Sequence, residues 1–189
     1  MLHRLKMNVR SRFPDYRTKL SLVFGYLPWR RRDDVFIIAH LRSGSTWVRT
    51  MLANLMQPDA NSDPDVFNRL IPASSIHNIR EVWALPSPRV LTSHTSYLPG
   101  LPKVVYLVRD GRDTLVSYYH YTIHRRARLD PSYVSTADID FPTFFERYYQ
   151  GDYRHIWHQH VESWLTRGRL LGDRMMVVRF EELKSDPNT

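Results

Sequence analysis

The sequence contains no cysteine among its 189 residues. Disulfide bonds, thiol catalysis and zinc sites built on cysteine are therefore excluded. The absence of cysteine is consistent with a reducing compartment, and we expect a cytoplasmic protein.

Long apolar runs are also missing. The longest one near the start, Leu20 to Leu27, is interrupted by Ser21 and Gly25, whereas a membrane-spanning helix needs roughly 20 apolar residues. We therefore expect no transmembrane segment. No small-residue cleavage site of a secretory signal follows this run, and an organelle transit peptide is the alternative that stays open.

Acidic residues are scarce only in the first part of the chain. Residues 1–34 carry nine Lys and Arg against three Asp, whereas residues 35–189 carry 18 basic and 16 acidic side chains. We expect a basic N-terminal arm at 1–34 and a folded domain at 35–189. We interpret the arm as solvated, with contact to an anionic surface such as acidic lipid or nucleic acid as the alternative.

Short β-rich segments alternate with helical patterns along the rest of the chain. Apolar runs of this kind predict strands, most of them buried on both faces of a sheet, at 35–39, 89–93, 103–108 and 175–178. Helices are predicted at 46–56, 113–124, 141–149 and 154–166 and from Phe180, with residues 57–88 as loop and short helices. This alternation predicts an α/β protein with three α/β/α layers around a central parallel sheet.

The turn after the first strand is the most informative segment: His40-Leu41-Arg42-Ser43-Gly44-Ser45-Thr46-Trp47. Backbone N–H groups at a helix start have no intrahelical partners and bind anions. Gly44 permits close approach of the backbone, Arg42 adds a fixed cation, and Ser45 or Thr46 is the predicted N-cap. Neither a Walker A loop nor a G-x-G-x-x-G pattern is present, and an ordinary β–α connection is the alternative.

A second Arg-bearing turn follows the strand at 103–108. It begins at Arg109, and Ser117 lies eight residues later on the predicted helix. Together the two turns resemble the sulfotransferase family that uses 3′-phosphoadenosine 5′-phosphosulfate (PAPS). The first resembles the family's 5′-phosphosulfate loop, usually written YPKSGTTW, and the second resembles its 3′-phosphate motif.

Further segments carry the same resemblance in the same order. They are residues 89–94, which resemble the strand with the catalytic His, residues 157–164, and residues 178–187, which resemble a segment of the FYEDM type. The resemblance implies a P-loop-like nucleotide-binding fold.

Three departures from the family pattern stand out. Arg42 replaces the loop Lys of the soluble enzymes, and Thr92 replaces a Lys often found two residues before the catalytic His. The family's C-terminal RKGxxGxWK-like segment is absent. We therefore expect residues 35–189 to be a sulfotransferase domain without its C-terminal segment.

The resemblance implies transfer of a sulfuryl group from PAPS to a hydroxyl or amine of a small-molecule acceptor, with adenosine 3′,5′-bisphosphate as product and no metal. His94 is implied as general base, because a neutral imidazole is available near pH 7. The other implied roles are catalysis and 5′-phosphosulfate binding by Arg42, loop contacts from Ser43, Gly44, Ser45 and Thr46, 3′-phosphate binding by Arg109 and Ser117, and adenine packing by Trp47 and Phe180.

Each role has a structural alternative. His94 is alternatively a hydrogen-bonded structural His, Arg109 a partner of Asp113, and Trp47 a core residue. His120 and His124 stand four apart, as metal ligands can, although no third ligand is indicated. We also predict surface positions for three histidines, His155, His158 and His160, and helix packing for five aromatics, Tyr118, Tyr119, Tyr121, Trp157 and Trp164.

Other functions stay open beside the sulfotransferase. They are a catalytically impaired fragment that acts as a binding protein, a nucleotide kinase of the P-loop type, and nucleic-acid binding through the basic arm. No sequence motif identifies the acceptor. Residues 57–88 and 125–141 are expected to shape its pocket. A homodimer is one expected assembly.

Overall fold

The computed structural model describes residues 30–58, 64–73, 79–129, 139–150 and 156–185. Most of the predicted basic arm lies outside these ranges. The described elements are, in chain order, β1 (Val35–Ala39), α1 (Ser45–Met56), α2 (Pro64–Leu70), α3 (Ile79–Ala84), β2 (Val90–Ser93), β3 (Lys103–Val108), α4 (Gly111–Leu129), α5 (Phe141–Tyr149), α6 (Trp157–Arg167), a 3-10 helix (Gly168–Arg174), β4 (Met175–Arg179) and α7 (Phe180–Ser185).

The four strands form one parallel sheet in the order β2-β1-β3-β4. In its register, Ile37 of β1 lies opposite Thr92 of β2 and Val105 of β3, and Val105 lies opposite Met176 of β4. Since all strands run the same way, the segments that follow β1, β2 and β3 leave the sheet at the same edge. The predicted strands and the parallel α/β architecture are confirmed, with end points that differ by one residue in β2 and β4.

Helices cover both faces of the central strand β1, whose residues are buried on both sides. Phe36 and Ile38 pack on one face in a core that includes Trp164 of α6. Ile37 packs on the other face with Ala53 of α1 and with other apolar residues. Burial of one such side chain stabilises the fold by about 1.5–3 kcal/mol. This arrangement accounts for the unbroken apolar run in the sequence.

A buried ion pair ties the starts of β1 and β2 together, at the edge of the sheet opposite the two turns. Arg89 Nε and Nη2 donate to the two carboxylate oxygens of Asp34 at 2.7 and 2.6 Å. The backbone N–H of Arg31 also donates to Asp34, at 2.7 Å. Removing one partner of a pair this deeply buried costs about 3–5 kcal/mol in other proteins, because the remaining charge has no compensation.

Two helix starts differ from the sequence-based prediction. The N-cap of α1 is Gly44 in a left-handed conformation, with φ 95° and ψ 10°, so the prediction of Ser45 or Thr46 is wrong. The turn must reverse direction tightly here, and only glycine takes such a φ without a steric penalty.

The second difference concerns α4, which begins at Gly111 and runs to Leu129. This start lies two residues before the predicted one at Asp113, and Asp110 caps the helix by accepting a hydrogen bond from the backbone N–H of Arg112 at 2.8 Å. Hydrogen bonds from Arg112 lower the pKa of the Asp110 carboxyl to about 2. A capping carboxylate therefore stays charged over the whole physiological range.

None of the helices described for this chain combines the length and the apolar character that crossing a bilayer demands.

Candidate functional site

The loop between β1 and α1 presents an uncapped helix start. The first helical hydrogen bond runs from the N–H of Val48 to the carbonyl of Gly44 at 3.1 Å, so the amides of residues 45–47 precede it. No side chain caps this end, and the first turn holds no acidic residue. The partial positive charge of the helix start is therefore available to an anion.

Phe180 explains the second requirement for glycine at position 44. A Cβ at Gly44 would run into the Phe180 ring. The same ring meets Trp47 edge to face with centroids 5.5 Å apart, and the Arg109 guanidinium lies 4.7 Å from its centroid. Phe180, the first residue of α7, thus joins the two Arg-bearing turns.

The two turns converge because β1 and β3 are neighbours in the sheet. Arg109 Nη1 donates to the carbonyl oxygen of Arg42 at 3.4 Å. Arg42 Nε donates to Ser117 Oγ at 3.2 Å, and its guanidinium lies 4.8 Å from the centroid of the Tyr121 ring. Two guanidinium groups and an uncapped helix start therefore share one crevice.

Arg109 also contacts Asp113, the alternative partner. The Nη2 to Oδ2 distance is 3.5 Å, and the Asp113 side chain is 62% exposed, so this ion pair contributes little. Arg109 Nε is buried and has no hydrogen-bond partner among the described residues. Ser43 Oγ, in the first turn, is also buried and also has no hydrogen-bond partner among the described residues. Buried polar groups normally have partners, so both atoms fit a polar ligand.

The Arg109–Asp110 turn is held from outside by two side chains. Trp157 Nε1 donates to the carbonyl of Arg109 at 3.2 Å, and Glu181 Oε1 accepts from the N–H of Asp110 at 2.8 Å. A Cβ at Gly111 would lie 2.9 Å from the Trp157 ring. The sequence-based reasoning missed this role for both side chains, because neither is close to the turn in sequence.

His94 follows the end of β2, and its Nδ1 lies 2.8 Å from the carbonyl oxygen of Ala39. A carbonyl oxygen only accepts, so Nδ1 carries the proton and Nε2 carries the lone pair. Burial lowers the pKa of His94, the hydrogen bond to Ala39 opposes this, and the charge of Arg49 lowers the pKa further. The ring is therefore neutral at pH 7 and able to accept a proton at Nε2.

The remaining predicted site residues lie at the same edge of the sheet. Trp47 is 37% exposed, so the alternative of a plain core position is wrong. Ser45 and Thr46 form the first residues of α1, and Thr46 is exposed. The structure brings the two turns, Trp47 and Phe180 into mutual contact. His94 is connected to this group by its hydrogen bond to Ala39, the last residue of β1.

One surface prediction is wrong. His160 is only 2% exposed, and its Nδ1 lies 3.2 Å from the hydroxyl oxygen of Tyr106 on β3. It is buried because α6 packs this face on the sheet. His158 is exposed as predicted, and His155 lies outside the described residues.

Over the described ranges, no three His, Asp or Glu residues are grouped as metal ligands would be.

The helix-packing prediction holds for the five aromatics, which are all buried or half-buried: Tyr118, Tyr119, Tyr121, Trp157 and Trp164.

Together, the sheet and the paired turns define an α/β protein in which two Arg-bearing turns meet at the carboxyl edge of the strands. Residues 32–189 match the family described as the sulfotransferase domain. The chain therefore belongs to the sulfotransferase family.

Two human relatives illustrate the similarity. The chain is 25% identical to sulfotransferase 1E1, an alignment that covers 91% of this chain and 66% of the relative. It is 30% identical to sulfotransferase 2B1, over 82% of this chain and 43% of that relative. The chain thus spans about two thirds or less of the length of these relatives.

Solved structures share the fold. Retinol dehydratase in complex with androsterone and the inactive cofactor PAP matches with a TM-score of 0.57 and 21% identity, over 92% of this chain and 61% of that one. A putative steroid sulphotransferase of Arabidopsis thaliana matches with a TM-score of 0.62 and 19% identity, over 89% and 63%. The predicted α/β nucleotide-binding fold is thereby confirmed.

Replacing Gly44 by Ala should weaken anion binding at the loop and lower the melting temperature. The new methyl group meets the Phe180 ring, and the φ of 95° is unfavourable for any residue with a Cβ. Thermal unfolding with and without adenosine 3′,5′-bisphosphate measures both effects.

Gly100→Ala is the matched control, because Gly100 has a similar φ of 86° and its added Cβ would meet only Arg30 Nη2, at 4.0 Å. The control carries the backbone penalty alone, about 1–2 kcal/mol. Equal losses of stability in the two variants would show that the contact with Phe180 has no structural weight.

Proposed function

We propose that this protein transfers a sulfuryl group from PAPS to a hydroxyl or amine of a small-molecule acceptor. The observation that carries this proposal is the convergence of the two turns: Arg109 donates to the carbonyl of Arg42 at 3.4 Å, and Arg42 donates to Ser117 at 3.2 Å. A ligand with phosphate groups on both sides of an adenosine matches two cationic turns in one crevice.

The residues of the first turn would hold the 5′-phosphosulfate. Arg42 offers a charged donor, the start of α1 offers uncapped amides, and Ser43 offers a buried hydroxyl without a partner in the described structure. Gly44, Ser45 and Thr46 complete this cradle.

The residues of the second turn would hold the 3′-phosphate. The buried Nε of Arg109 and the hydroxyl of Ser117 are the donors. Selection of this nucleotide over ATP follows, since ATP has no 3′-phosphate. Trp47 and Phe180, which already meet edge to face, would pack against the adenine.

His94 would act as the general base. PAPS supplies the sulfuryl group, whose bond to a phosphate oxygen breaks as the acceptor oxygen or nitrogen bonds to sulfur. The proton of the acceptor passes to Nε2 of His94, which carries the lone pair because Nδ1 donates to Ala39. Arg42 and the start of α1 would stabilise the negative charge that develops on the departing phosphate oxygen.

Apolar alcohols are the first acceptors to test. One solved relative is described as a complex of retinol dehydratase with retinol and PAP, and another as a putative steroid sulphotransferase. Residues 57–88 of this chain, which contain α2 and α3, would contribute to the acceptor pocket.

A second candidate is a binding protein with impaired catalysis. Thr92 is a buried, neutral residue where the family often has Lys, so β2 brings no cation to the reacting group. Turnover of PAPS with any acceptor distinguishes this candidate from the enzyme.

Nucleotide binding tests the proposal directly. Adenosine 3′,5′-bisphosphate should raise the melting temperature more than ATP does, because only the bisphosphate engages both turns. At a concentration of 100 times its Kd, a ligand stabilises the fold by about 2.7 kcal/mol. Differential scanning fluorimetry of the wild-type chain and of Arg109→Met measures this.

Arg179→Met serves as the control, because Arg179 is exposed and pairs only at the surface with Glu182 at 3.4 Å. It should keep the wild-type shift, whereas Arg109→Met should lose most of it. A shift from ATP as large as that from the bisphosphate would contradict the proposal.

Replacing His94 by Ala should abolish sulfuryl transfer while nucleotide binding persists, because His94 does not belong to the two turns. In the wild-type enzyme the fall of the transfer rate on acidification should lie at lower pH than the range in which a free histidine titrates. The reason is that the lowered pKa of His94 keeps the ring in its neutral, proton-accepting form. Transfer of labelled sulfate from PAPS measures the activity of the variant and the pH dependence of the wild-type rate. Turnover of His94→Ala at the wild-type rate would exclude the role assigned to His94.

A further inference from the structure

β2, the strand that His94 follows, contains no charged residue. Thr92, two residues before His94, is a neutral residue only 4% exposed. Among the charged side chains that the structure describes, Arg49 of α1 is the one whose charge acts on His94. Arg49 lies two residues after Trp47 in sequence, so it belongs to the helix that starts at the first Arg-bearing turn.

The guanidinium of Arg49 is fixed by three hydrogen bonds to one segment. Nε and Nη2 donate to the carbonyl oxygen of Ile71 at 3.0 and 2.7 Å, and Nη2 donates to Asn68 Oδ1 at 2.8 Å. The group also lies 5.2 Å from the centroid of the Phe67 ring. This planar fork geometry is specific to arginine.

The segment held by Arg49 is itself bonded to β2 close to His94. The N–H of Thr92 donates to the carbonyl of Pro72 at 3.0 Å, and Ala73 pairs with Thr92 in parallel. Pro72 and Ala73 follow Ile71 directly. A continuous set of hydrogen bonds therefore connects α1, this segment and β2, two residues before His94.

The charge of Arg49 is not offset by a carboxylate in the described part of the chain. Its acceptors, a carbonyl and an amide oxygen, are neutral, and the ion pairs of the described residues involve other side chains. Burial lowers the pKa of Arg49, but a guanidinium keeps its proton near neutral pH. Arg49 therefore keeps a full positive charge, which disfavours the protonated ring of His94.

We propose that Arg49 is a positioning residue for His94: its guanidinium anchors residues 68–71 beside β2, and its charge takes the place of the cation that Thr92 does not provide. This rests on the proposed function, in which His94 is the general base. The guanidinium of Arg49 donates its described hydrogen bonds to Ile71 and Asn68 and not to either turn, so in this proposal it acts through His94 and not on the nucleotide.

Two variants separate the charge from the packing. Arg49→Gln removes the charge and keeps an N–H donor for the Ile71 carbonyl. Asn68→Asp leaves Arg49 in place and sets a carboxylate at the position of the amide oxygen, 2.8 Å from Nη2. Arg49→Lys keeps the charge, and Arg69→Gln, an exposed site on the neighbouring helix α2, is the control for net charge.

The experiment is a titration of the His94 imidazole by NMR in the complete 189-residue chain, with the signal assigned from the His94→Asn variant. A nearby cation disfavours the protonated ring, so removing or offsetting it must raise the pKa of His94. We expect an upward shift in Arg49→Gln and in Asn68→Asp, and the wild-type pKa in Arg49→Lys and Arg69→Gln. His40, the titratable neighbour at the end of β1, is present in every variant, so its influence cancels.

The outcomes are distinct. If Arg49→Gln does not fold, Asn68→Asp still decides, because an amide replaced by a carboxyl keeps its shape. Wild-type titration of His94 in Asn68→Asp, or an equal shift in Arg69→Gln, would overturn the proposal. Binding of adenosine 3′,5′-bisphosphate should be unchanged in these variants. Failure of the wild-type chain to bind that nucleotide would count against the proposed function alone, since the titration needs no activity.

Discussion

The pairing of β1 with β3 is the constraint on which the rest of the structure depends. Because these two strands are parallel neighbours, the turns that follow them leave the sheet side by side. Residues that are 67 positions apart in sequence then approach within hydrogen-bonding distance, as Arg109 and Arg42 do. Without this register there would be two ordinary β–α connections and no common crevice.

Phe180 depends on the same constraint and strengthens it. β4 pairs with β3, so the first residue of the following helix α7 reaches the crevice. There it excludes any side chain at position 44 and packs against Trp47 and Arg109. The ends of β1, β3 and β4, which are neighbours in the sheet, thus contribute to one site. This is the usual place of ligands in parallel α/β proteins.

The sequence predicted the strands and their arrangement in a parallel sheet, because apolar runs depend on local chemistry. The cap of α1 was mispredicted since a hydroxyl is the common capping group, whereas here close contact with Phe180 requires glycine. The burial of His160 and the anchoring roles of Glu181 and Arg49 depend on partners distant in sequence, and no local pattern reports them. The basic arm at 1–34 and a homodimer stay predictions.

The central claim is that the two turns hold two different phosphates of one nucleotide. Isothermal titration calorimetry of the wild-type chain and of Arg109→Met, with adenosine 3′,5′-bisphosphate and with adenosine 5′-monophosphate, tests it most directly. The account predicts that the wild-type chain prefers the bisphosphate and that Arg109→Met binds both ligands with nearly equal affinity. An undiminished preference for the bisphosphate in Arg109→Met would contradict it.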